Sequence, residues 1–204
     1  MSDFLYLASQ SPRRRQLLEQ IGVRHELLLP NAAGDVAEDA EAIELALTAE
    51  APRDYVRRVT GLKLDAAVTR HARRGLGPAP ILCSDTTVAL GAQILGKPED
   101  EADATRMLSL LAGQEHEVLT AVALQSGQQR FTALSVSVVR FAPMTPAQIA
   151  AYVATGEPMG KAGAYGIQGA AAVHVAHLAG SYTGIMGLPL FETAELLRQA
   201  GWSL

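Results

Sequence analysis

The chain has 204 residues, of which 49% are apolar and 19% are charged. These proportions are typical of a globular protein with a large core, and they predict one domain over residues 1–204. No apolar run approaches the roughly 18 residues that cross a bilayer, and the N-terminus lacks the features of a signal peptide. We therefore expect no membrane partner.

The charge balance and the cysteine content narrow the function further. A net charge of −4 argues against a protein that binds nucleic acid through its backbone. The single cysteine, Cys83, excludes an internal disulfide and favours a reducing cytoplasm, where we expect it to be a small core residue. Positive charge is concentrated at residues 13–15, whereas residues 35–44 are acidic. A local cationic cluster in an acidic protein suits a small anionic ligand.

The first half of the chain predicts alternating strands and helices. A buried strand at 4–8 is followed by a helix at 13–21, a strand at 24–29 and a helix from Pro52 to about His71. Helical spacing places Leu62 on the buried face of that last helix. The apolar run at 79–84 predicts a central strand, with Asp85 where the strand ends.

The second half predicts a helix at 101–111, two long strands at 117–124 and 131–141 joined by a hairpin at Gly127, and helices at 145–152 and 188–199. Strands and helices do not alternate strictly, and the long hairpin is antiparallel. The pattern predicts an α/β fold in which a mixed sheet carries helices on its faces.

Three segments have residue types suited to anion chemistry, and each has a structural alternative. Ser9-Gln10-Ser11-Pro12-Arg13-Arg14 combines a helix start with hydroxyls and guanidiniums, which makes an anion site or a capped helix with surface arginines. Asp85 and Thr86 could bind a metal or activate water, or they could cap a turn. Lys63 and Lys97 are either phosphate clamps or solvated lysines, since no P-loop spacing is present.

The stretch at 160–169 is rich in glycine and contains Lys161 and Gln168. Its backbone could approach a flat ligand while the Gln168 amide contacts a pyrimidine edge, or it could be a mobile hairpin without a ligand. It does not follow a strand early in a βαβ unit, so it is not a dinucleotide fingerprint. The histidines show no zinc or Ser-His-Asp pattern, and we expect structural roles for them.

Four segments together resemble the Maf nucleotide pyrophosphatases in order and spacing. They are residues 5–14, 84–88, 95–98 and 161–169, followed by Gly-Leu-Pro-Leu at 187–190. The resemblance covers nearly the whole chain. It implies an elongated mixed sheet in two lobes around a central cleft, like that of inosine triphosphatases, and a homodimer. The form of residues 162–169 resembles the branch that acts on dTTP and UTP.

The resemblance also implies residue roles. Asp85 would be the proton acceptor, and Arg13, Thr86 and Gln168 would set the substrate preference. Arg14, Lys63 and Lys97 would hold phosphates, together with Ser9, Ser11 and Lys161 in the substrate site. A divalent cation, Mg²⁺ or Mn²⁺, would be held by Asp85 and by a carboxylate of the acidic loop, for which we choose Glu38.

These roles imply hydrolysis of dTTP and UTP to the monophosphate and diphosphate, or of modified pyrimidine nucleotides such as 5-methyl-UTP, 5-methyl-CTP or pseudo-UTP. One alternative is a purine-directed housecleaning pyrophosphatase acting on 7-methyl-GTP or ITP. A second, from another class, is a nucleotide-binding regulator of septum formation without significant catalysis.

Overall fold

The computed structural model describes residues 3–31, 35–36 and 38–204, so residues 32–34 and 37 of the acidic loop lie outside the described part. The strands of this part are β1 (Leu5–Leu7), β2 (His25–Leu27), β3 (Ile81–Leu90), β4 (Gln93–Leu95), β5 (Glu115–Ser126), β6 (Gln129–Phe141) and β7 (Val175–Ala179). The helices are α1 (Pro12–Gln20), α2 (Ala40–Glu44), α3 (Pro52–Arg73), α4 (Glu101–Leu111), α5 (Pro146–Val153), α6 (Tyr182–Ile185) and α7 (Leu190–Gln199). Short 3₁₀ turns lie at Ala162–Ala164 and Ala170–His174.

The strands form one mixed sheet in the order β2-β1-β3-β5-β6-β7, and β4 pairs with β3 outside this order. The pairs β1–β2 and β1–β3 are parallel, and the remaining pairs are antiparallel. The predicted mixed α/β fold is therefore confirmed. So is the long hairpin, whose turn is made by Gly127 at a φ of 56°.

Helices cover both faces of the sheet, and side-chain alternation along β1 shows how. Leu5 and Leu7 pack in a cluster with apolar residues of α1 and α7, whereas Tyr6 packs on the other face with Leu64 and Ala67 of α3. Successive side chains of a strand point to opposite faces, so a short apolar run can serve two cores. A further cluster joins α4 and α5 to the C-terminal half of β3.

The edge of β3 that faces β1 is interrupted. β1 pairs with β3 at Ile81 and Leu82, whereas β4 pairs with it only from Val88 to Leu90. On the opposite edge β5 pairs with β3 continuously from Ile81 to Ala89. Among the described residues no strand pairs with residues 83–87 along the first edge, so the sheet has a gap there.

Two predictions about local structure are wrong. Asp85 does not end a strand; it is the fifth residue of β3, which continues because the β-branched residues after it pair with β5. Leu62 is 40% exposed, and Leu64 and Ala67 are buried in its place. The buried face of α3 follows helical spacing from Val56 onwards. Lys63 and Arg70 therefore lie along this face, and Leu62 lies outside it.

Cys83 is buried and free, as predicted, and burial raises the pKa of its thiol to about 12. Within the described residues, no helix combines the length and apolar character that a membrane crossing requires.

The buried His116 makes the stability of the fold depend on pH. It is 2% exposed, its Nε2 lies 2.8 Å from the Tyr165 hydroxyl, and it packs edge-on against the Phe141 ring. Burial lowers its pKa from 6.5 to about 4. The unfolded chain therefore takes up a proton as the pH falls below about 6.5, whereas the folded state does not until about pH 4.

The free energy of unfolding of the parent should fall between pH 7.5 and pH 5 by more than that of His116→Gln protein. We predict a difference of about 2 kcal/mol between the two falls. Urea unfolding at the two pH values measures this difference. His177→Gln, at an exposed position, is the control and should match the parent. An equal loss in the parent and in His116→Gln would contradict the prediction.

Candidate functional site

The gap beside β3 opens into a cavity of about 560 Å³, a size typical of small-molecule sites. Chain segments that leave β1 and β4 diverge at the gap and form two of its walls, and the middle of β3 forms its floor. The rest of the lining includes the acidic loop with α2, one face of α3, the glycine-rich segment at 160–167 and residues 185–187. Motifs that are far apart in sequence therefore meet in one cleft.

Ten of the eleven side chains predicted for the site line this cleft. They are Ser9, Ser11, Arg13, Arg14, Glu38, Lys63, Asp85, Thr86, Lys97 and Lys161. Gln168 does not: its side chain is exposed and outside the lining, although the adjacent Ile167 is within it. Contact between Gln168 and a pyrimidine base therefore stays a prediction.

The first turn of α1 is open at the cleft. Ser11 precedes the helix with extended backbone but makes no side-chain cap, and Pro12, which has no N–H group, takes the first helical position. Ser9 Oγ instead accepts the Ser11 N–H at 3.2 Å. An uncapped helix N-terminus that lines a cleft is suited to binding an anion.

Arg14 is held in place by neutral oxygens. Its Nε donates to the Gly187 carbonyl at 2.8 Å, Nη1 to Ser9 Oγ at 3.1 Å and Nη2 to Thr86 Oγ1 at 3.5 Å. Burial lowers the pKa of Arg14, and the field of the nearby Asp85 opposes that shift. The guanidinium is therefore oriented, and none of the described carboxylates forms an ion pair with it.

Two carboxylates and two lysines form a compact cluster at the centre of the cleft. Lys63 Nζ lies 2.5 Å from Asp85 Oδ1 and 2.7 Å from Glu44 Oε1, and Lys97 Nζ lies 2.9 Å from Glu44 Oε2. Burial alone would lower the pKa of Lys63, but attraction to Asp85 and Glu44 raises it. The same two lysines outweigh the effect of burial on Glu44 and lower its pKa.

Glu38, which we chose from the sequence as the second carboxylate, lies in the lining but is occupied elsewhere. Both of its oxygens accept hydrogen bonds from the buried Arg70, which also donates to the Leu28 carbonyl at 2.6 Å. Breaking a bidentate ion pair between a carboxylate and a buried guanidinium costs free energy, because it leaves a buried charge without its partner. The geometry therefore favours Glu44 over Glu38 as the partner of Asp85.

The lining has an excess of positive charge. Among the described residues, the lining has six cationic side chains and three carboxylates. The cations are Arg13, Arg14, Lys63, Arg70, Lys97 and Lys161, and the carboxylates are Glu38, Glu44 and Asp85. Within the described part of the chain, Arg13, Arg14 and Lys161 form no ion pair. Burial and then the charge of Arg13 lower the pKa of Lys161. A polyanion would relieve this local repulsion.

Glu157 organises the glycine-rich segment. Its carboxylate accepts the Tyr152 hydroxyl at 2.8 Å and the Ala170 N–H at 2.9 Å, and its own carbonyl accepts Lys161 Nζ. A Cβ at Gly169 would overlap Glu157 Oε1. The glycine at 169 therefore lets the chain pass close to this carboxylate.

Sequence reasoning passed over Arg70 and Glu157 and did not choose Glu44. The signal for Arg70 is its spacing from Lys63, since seven residues are about two helical turns and place both side chains on one face of α3. For Glu44 no comparable signal exists, because several carboxylates crowd the loop and only the fold shows which one reaches Lys63.

The residues present fit a divalent cation bound together with a nucleotide. The described residues contain no cluster of three or more metal-ligating side chains. However, Asp85 and Glu44 both approach one ammonium group, so their oxygens converge on one cation. Mg²⁺ is commonly held by one or two carboxylates plus substrate phosphates, and this donor set matches that arrangement.

The mixed sheet and the cationic cleft define a protein that binds a small molecule carrying phosphate. Carboxylates suited to proton transfer lie next to that binding site. The chain belongs to the Maf family: the model for Maf-like proteins matches residues 4–200. The resemblance found in the sequence is thereby confirmed.

Named relatives are similar over their full length. A protein of a Polaromonas species is 66% identical over 200 residues, which cover 98% of this chain and 97% of its own. One of Albidiferax ferrireducens is 61% identical over 204 residues and all of both chains. One of Ralstonia nicotianae is 64% identical over 201 residues, which cover 98% and 95%. Each is named a dTTP/UTP pyrophosphatase.

The contact between Gly169 and Glu157 gives a test of how the cleft wall is built. We predict that Gly169→Ala destabilises the protein by about 1–3 kcal/mol, because the new methyl group displaces a carboxylate held by two hydrogen bonds. The Michaelis constant for a nucleotide substrate should rise severalfold, because the same segment positions Lys161 in the cleft. Urea unfolding and steady-state kinetics measure the two effects.

Gly77→Ala is the matched control, because a Cβ there meets nothing within 4 Å. It should be neutral or slightly stabilising, as expected when a glycine of compatible backbone is replaced. Equal behaviour of the two variants would show that the Glu157 contact does not shape the segment.

Proposed function

We propose that this protein is a nucleoside triphosphate pyrophosphatase that hydrolyses dTTP and UTP to the monophosphate and diphosphate. The relatives named above carry that activity in their names. The observation that carries the proposal is the cleft itself, in which three cations that form no ion pair with any described residue lie next to two carboxylates. Modified pyrimidine nucleotides, such as 5-methyl-UTP, 5-methyl-CTP or pseudo-UTP, belong to the same proposed substrate class.

The triphosphate is held by the cationic side of the cleft. Arg13, Arg14 and the open first turn of α1 bind phosphate oxygens, with Ser9 and Ser11 beside them. Lys97 and Lys161 line the same cleft. Because these charges are oriented before the substrate arrives, they stabilise the charge that grows on the diphosphate leaving group.

Asp85 accepts the proton of the water that attacks the α-phosphorus. It is largely buried at the floor of the cleft, where its Oδ1 lies 2.5 Å from Lys63 Nζ. When a divalent cation is bound with the nucleotide, it supplies Lewis-acid polarisation of the phosphate oxygens, and Asp85 and Glu44 are the residues that would hold it. Lys63, which lies between these two carboxylates, would contact a phosphate beside them.

The assembly and location form part of the same proposal. A homodimer is supported by the family resemblance and by the general frequency of two-fold dimers. A cytoplasmic location is supported by the single cysteine, which is buried and free.

A panel of nucleoside triphosphates, assayed for released diphosphate with Mg²⁺ and with Mn²⁺, tests the proposed function. We expect dTTP and UTP, or their modified forms, to exceed ITP and 7-methyl-GTP by at least tenfold in kcat/KM. A higher kcat/KM for the purine nucleotides would contradict the proposal and indicate a purine-directed pyrophosphatase. Tight binding of nucleotide without metal-dependent turnover would support a regulatory protein instead.

The assignment of the carboxylates is tested by three amide variants. Asp85→Asn and Glu44→Gln should each lower kcat by at least a hundredfold, because each removes a negative oxygen from the centre of the cleft. Glu38→Gln should keep kcat within about fivefold, since its partner is Arg70 rather than Lys63. Initial rates of diphosphate release measure all three.

Glu38→Gln is expected to lose stability, because it leaves the buried Arg70 guanidinium without its counter-charge. Unfolding experiments therefore accompany the rates. If Glu38→Gln were folded and inactive while Glu44→Gln retained turnover, the sequence-based choice of Glu38 would be right and Glu44 would be excluded.

A further inference from the structure

The carboxylate that the geometry favours as the partner of Asp85 lies on a weakly packed segment. Glu44 is the last residue of the short helix α2, and large apolar side chains after it face solvent: Leu45 and Leu47 are 66% and 58% exposed. The preceding Ile43 is only partly buried. Because apolar packing is sparse here, the position of Glu44 depends strongly on polar contacts.

Helix α3 supplies polar contacts to both the backbone and the side chain of Glu44. The Tyr55 hydroxyl donates to the Glu44 carbonyl at 2.8 Å. Lys63 Nζ, about two helical turns further along, lies 2.7 Å from the Glu44 carboxylate. Arg58 donates to the carbonyl of the next residue, Leu45, at 2.8 Å. One helix therefore holds Glu44 at two points.

Tyr55 is itself held firmly. It is 9% exposed, and its ring packs in a core cluster with Val56 and Val59 of the same helix. The Arg58 guanidinium lies over this ring, 5.6 Å from its centroid. A carbonyl oxygen can only accept, so the single hydroxyl hydrogen of Tyr55 is directed to Glu44. Tyr55 lines the cleft, but its donor is already used by the protein.

We propose that Tyr55 is a positioning residue that, through the Glu44 backbone, aims the Glu44 carboxylate at the divalent cation shared with Asp85. This inference rests on the proposed function, in which Asp85 and Glu44 hold that cation. Removing a group that orients a metal-ligating side chain commonly lowers metal affinity by about tenfold or more. Tyr55 acts here without contacting the metal or the nucleotide.

The first test is the affinity of Tyr55→Phe for Mn²⁺, measured by electron paramagnetic resonance with a saturating non-hydrolysable dTTP analogue present. Phenylalanine keeps the ring and its contact with Arg58 and removes only the hydroxyl. We expect the dissociation constant of Mn²⁺ to rise about tenfold. An unchanged constant would overturn the proposal.

Steady-state kinetics separates positioning of the metal ligand from contact with the substrate. At limiting Mg²⁺, Tyr55→Phe should hydrolyse UTP more slowly than the parent. At saturating Mg²⁺, kcat and KM for UTP should both return to within about twofold of the parent, because the carboxylate is still present. A KM that stays high at saturating Mg²⁺, with unchanged Mn²⁺ affinity, would show that Tyr55 contacts the nucleotide and would overturn the proposal.

Thr60 offers a matched control on the same helix. It is 2% exposed, and its hydroxyl also donates to a backbone carbonyl, that of Val56, at 2.7 Å. It is outside the lining of the cleft. Thr60→Val should lower the stability in urea unfolding but keep the Mn²⁺ dissociation constant within about twofold of the parent. An equal rise in both variants would overturn the proposal, because general loosening of α3 would explain it.

A double-mutant cycle tests whether the effect passes through Glu44. In a Glu44→Gln background, adding Tyr55→Phe should change the Mn²⁺ dissociation constant by less than about twofold, since no charged ligand is left to position. A full additional rise in that background would show that Tyr55 acts by another route and would overturn the proposal.

Failure of the proposed function is recognised separately. Parent protein that released no diphosphate from dTTP or UTP would contradict that function, and Mn²⁺ binding with and without the analogue would still compare the variants. A weaker affinity for Mn²⁺ in Tyr55→Phe than in the parent and Thr60→Val would support the role of Tyr55. Equal affinities in the three proteins, or no Mn²⁺ binding by the parent, would overturn it.

Discussion

The interruption along one edge of β3 is the constraint on which the site depends. Its middle residues keep a continuous partner in β5, so the backbone that carries Asp85 is rigid, yet their other edge is open. β1 ends before this stretch and β4 begins after it, so the segments that follow both strands must turn away at the same place. The Arg13–Arg14 pair and Lys97 are thereby delivered to one cleft although more than eighty residues separate them. A gap of this kind keeps the backbone of Asp85 rigid and also lets a substrate reach its carboxylate.

Charge compensation then determines what the cleft can bind. Lys63, Lys97 and Arg70 form ion pairs with carboxylates. Arg14 instead donates hydrogen bonds to neutral oxygens. The free charge therefore lies along one side of the cavity and the acids along its centre, which matches a chain of phosphates lying next to a reacting water. The whole protein carries a net charge of −4, so the attraction for an anion is local to this cavity.

The sequence predicted most of the fold because its signals were local. Helices α4 and α5 end where glycine or capping residues occur, and the long hairpin turns at Gly127. The position of Asp85 within its strand could not be predicted, because strand pairing with β5 is a long-range interaction that the residues around Asp85 do not report. The site motifs converged as the resemblance implied, apart from Gln168, whose exposed side chain lies outside the cavity. The choice between Glu38 and Glu44 depended on which one reaches Lys63, and only the packing of the acidic loop on α3 shows this.

The most direct test is a crystal structure of the protein with a dTTP analogue whose α–β bridging oxygen is replaced by a non-hydrolysable group, together with Mg²⁺. The account predicts the triphosphate in the gap beside β3, in contact with Arg13 and Arg14, and its α-phosphorus close enough to Asp85 for one water molecule to lie between them. A nucleotide bound outside this gap, or one whose phosphates contact neither arginine, would contradict the account.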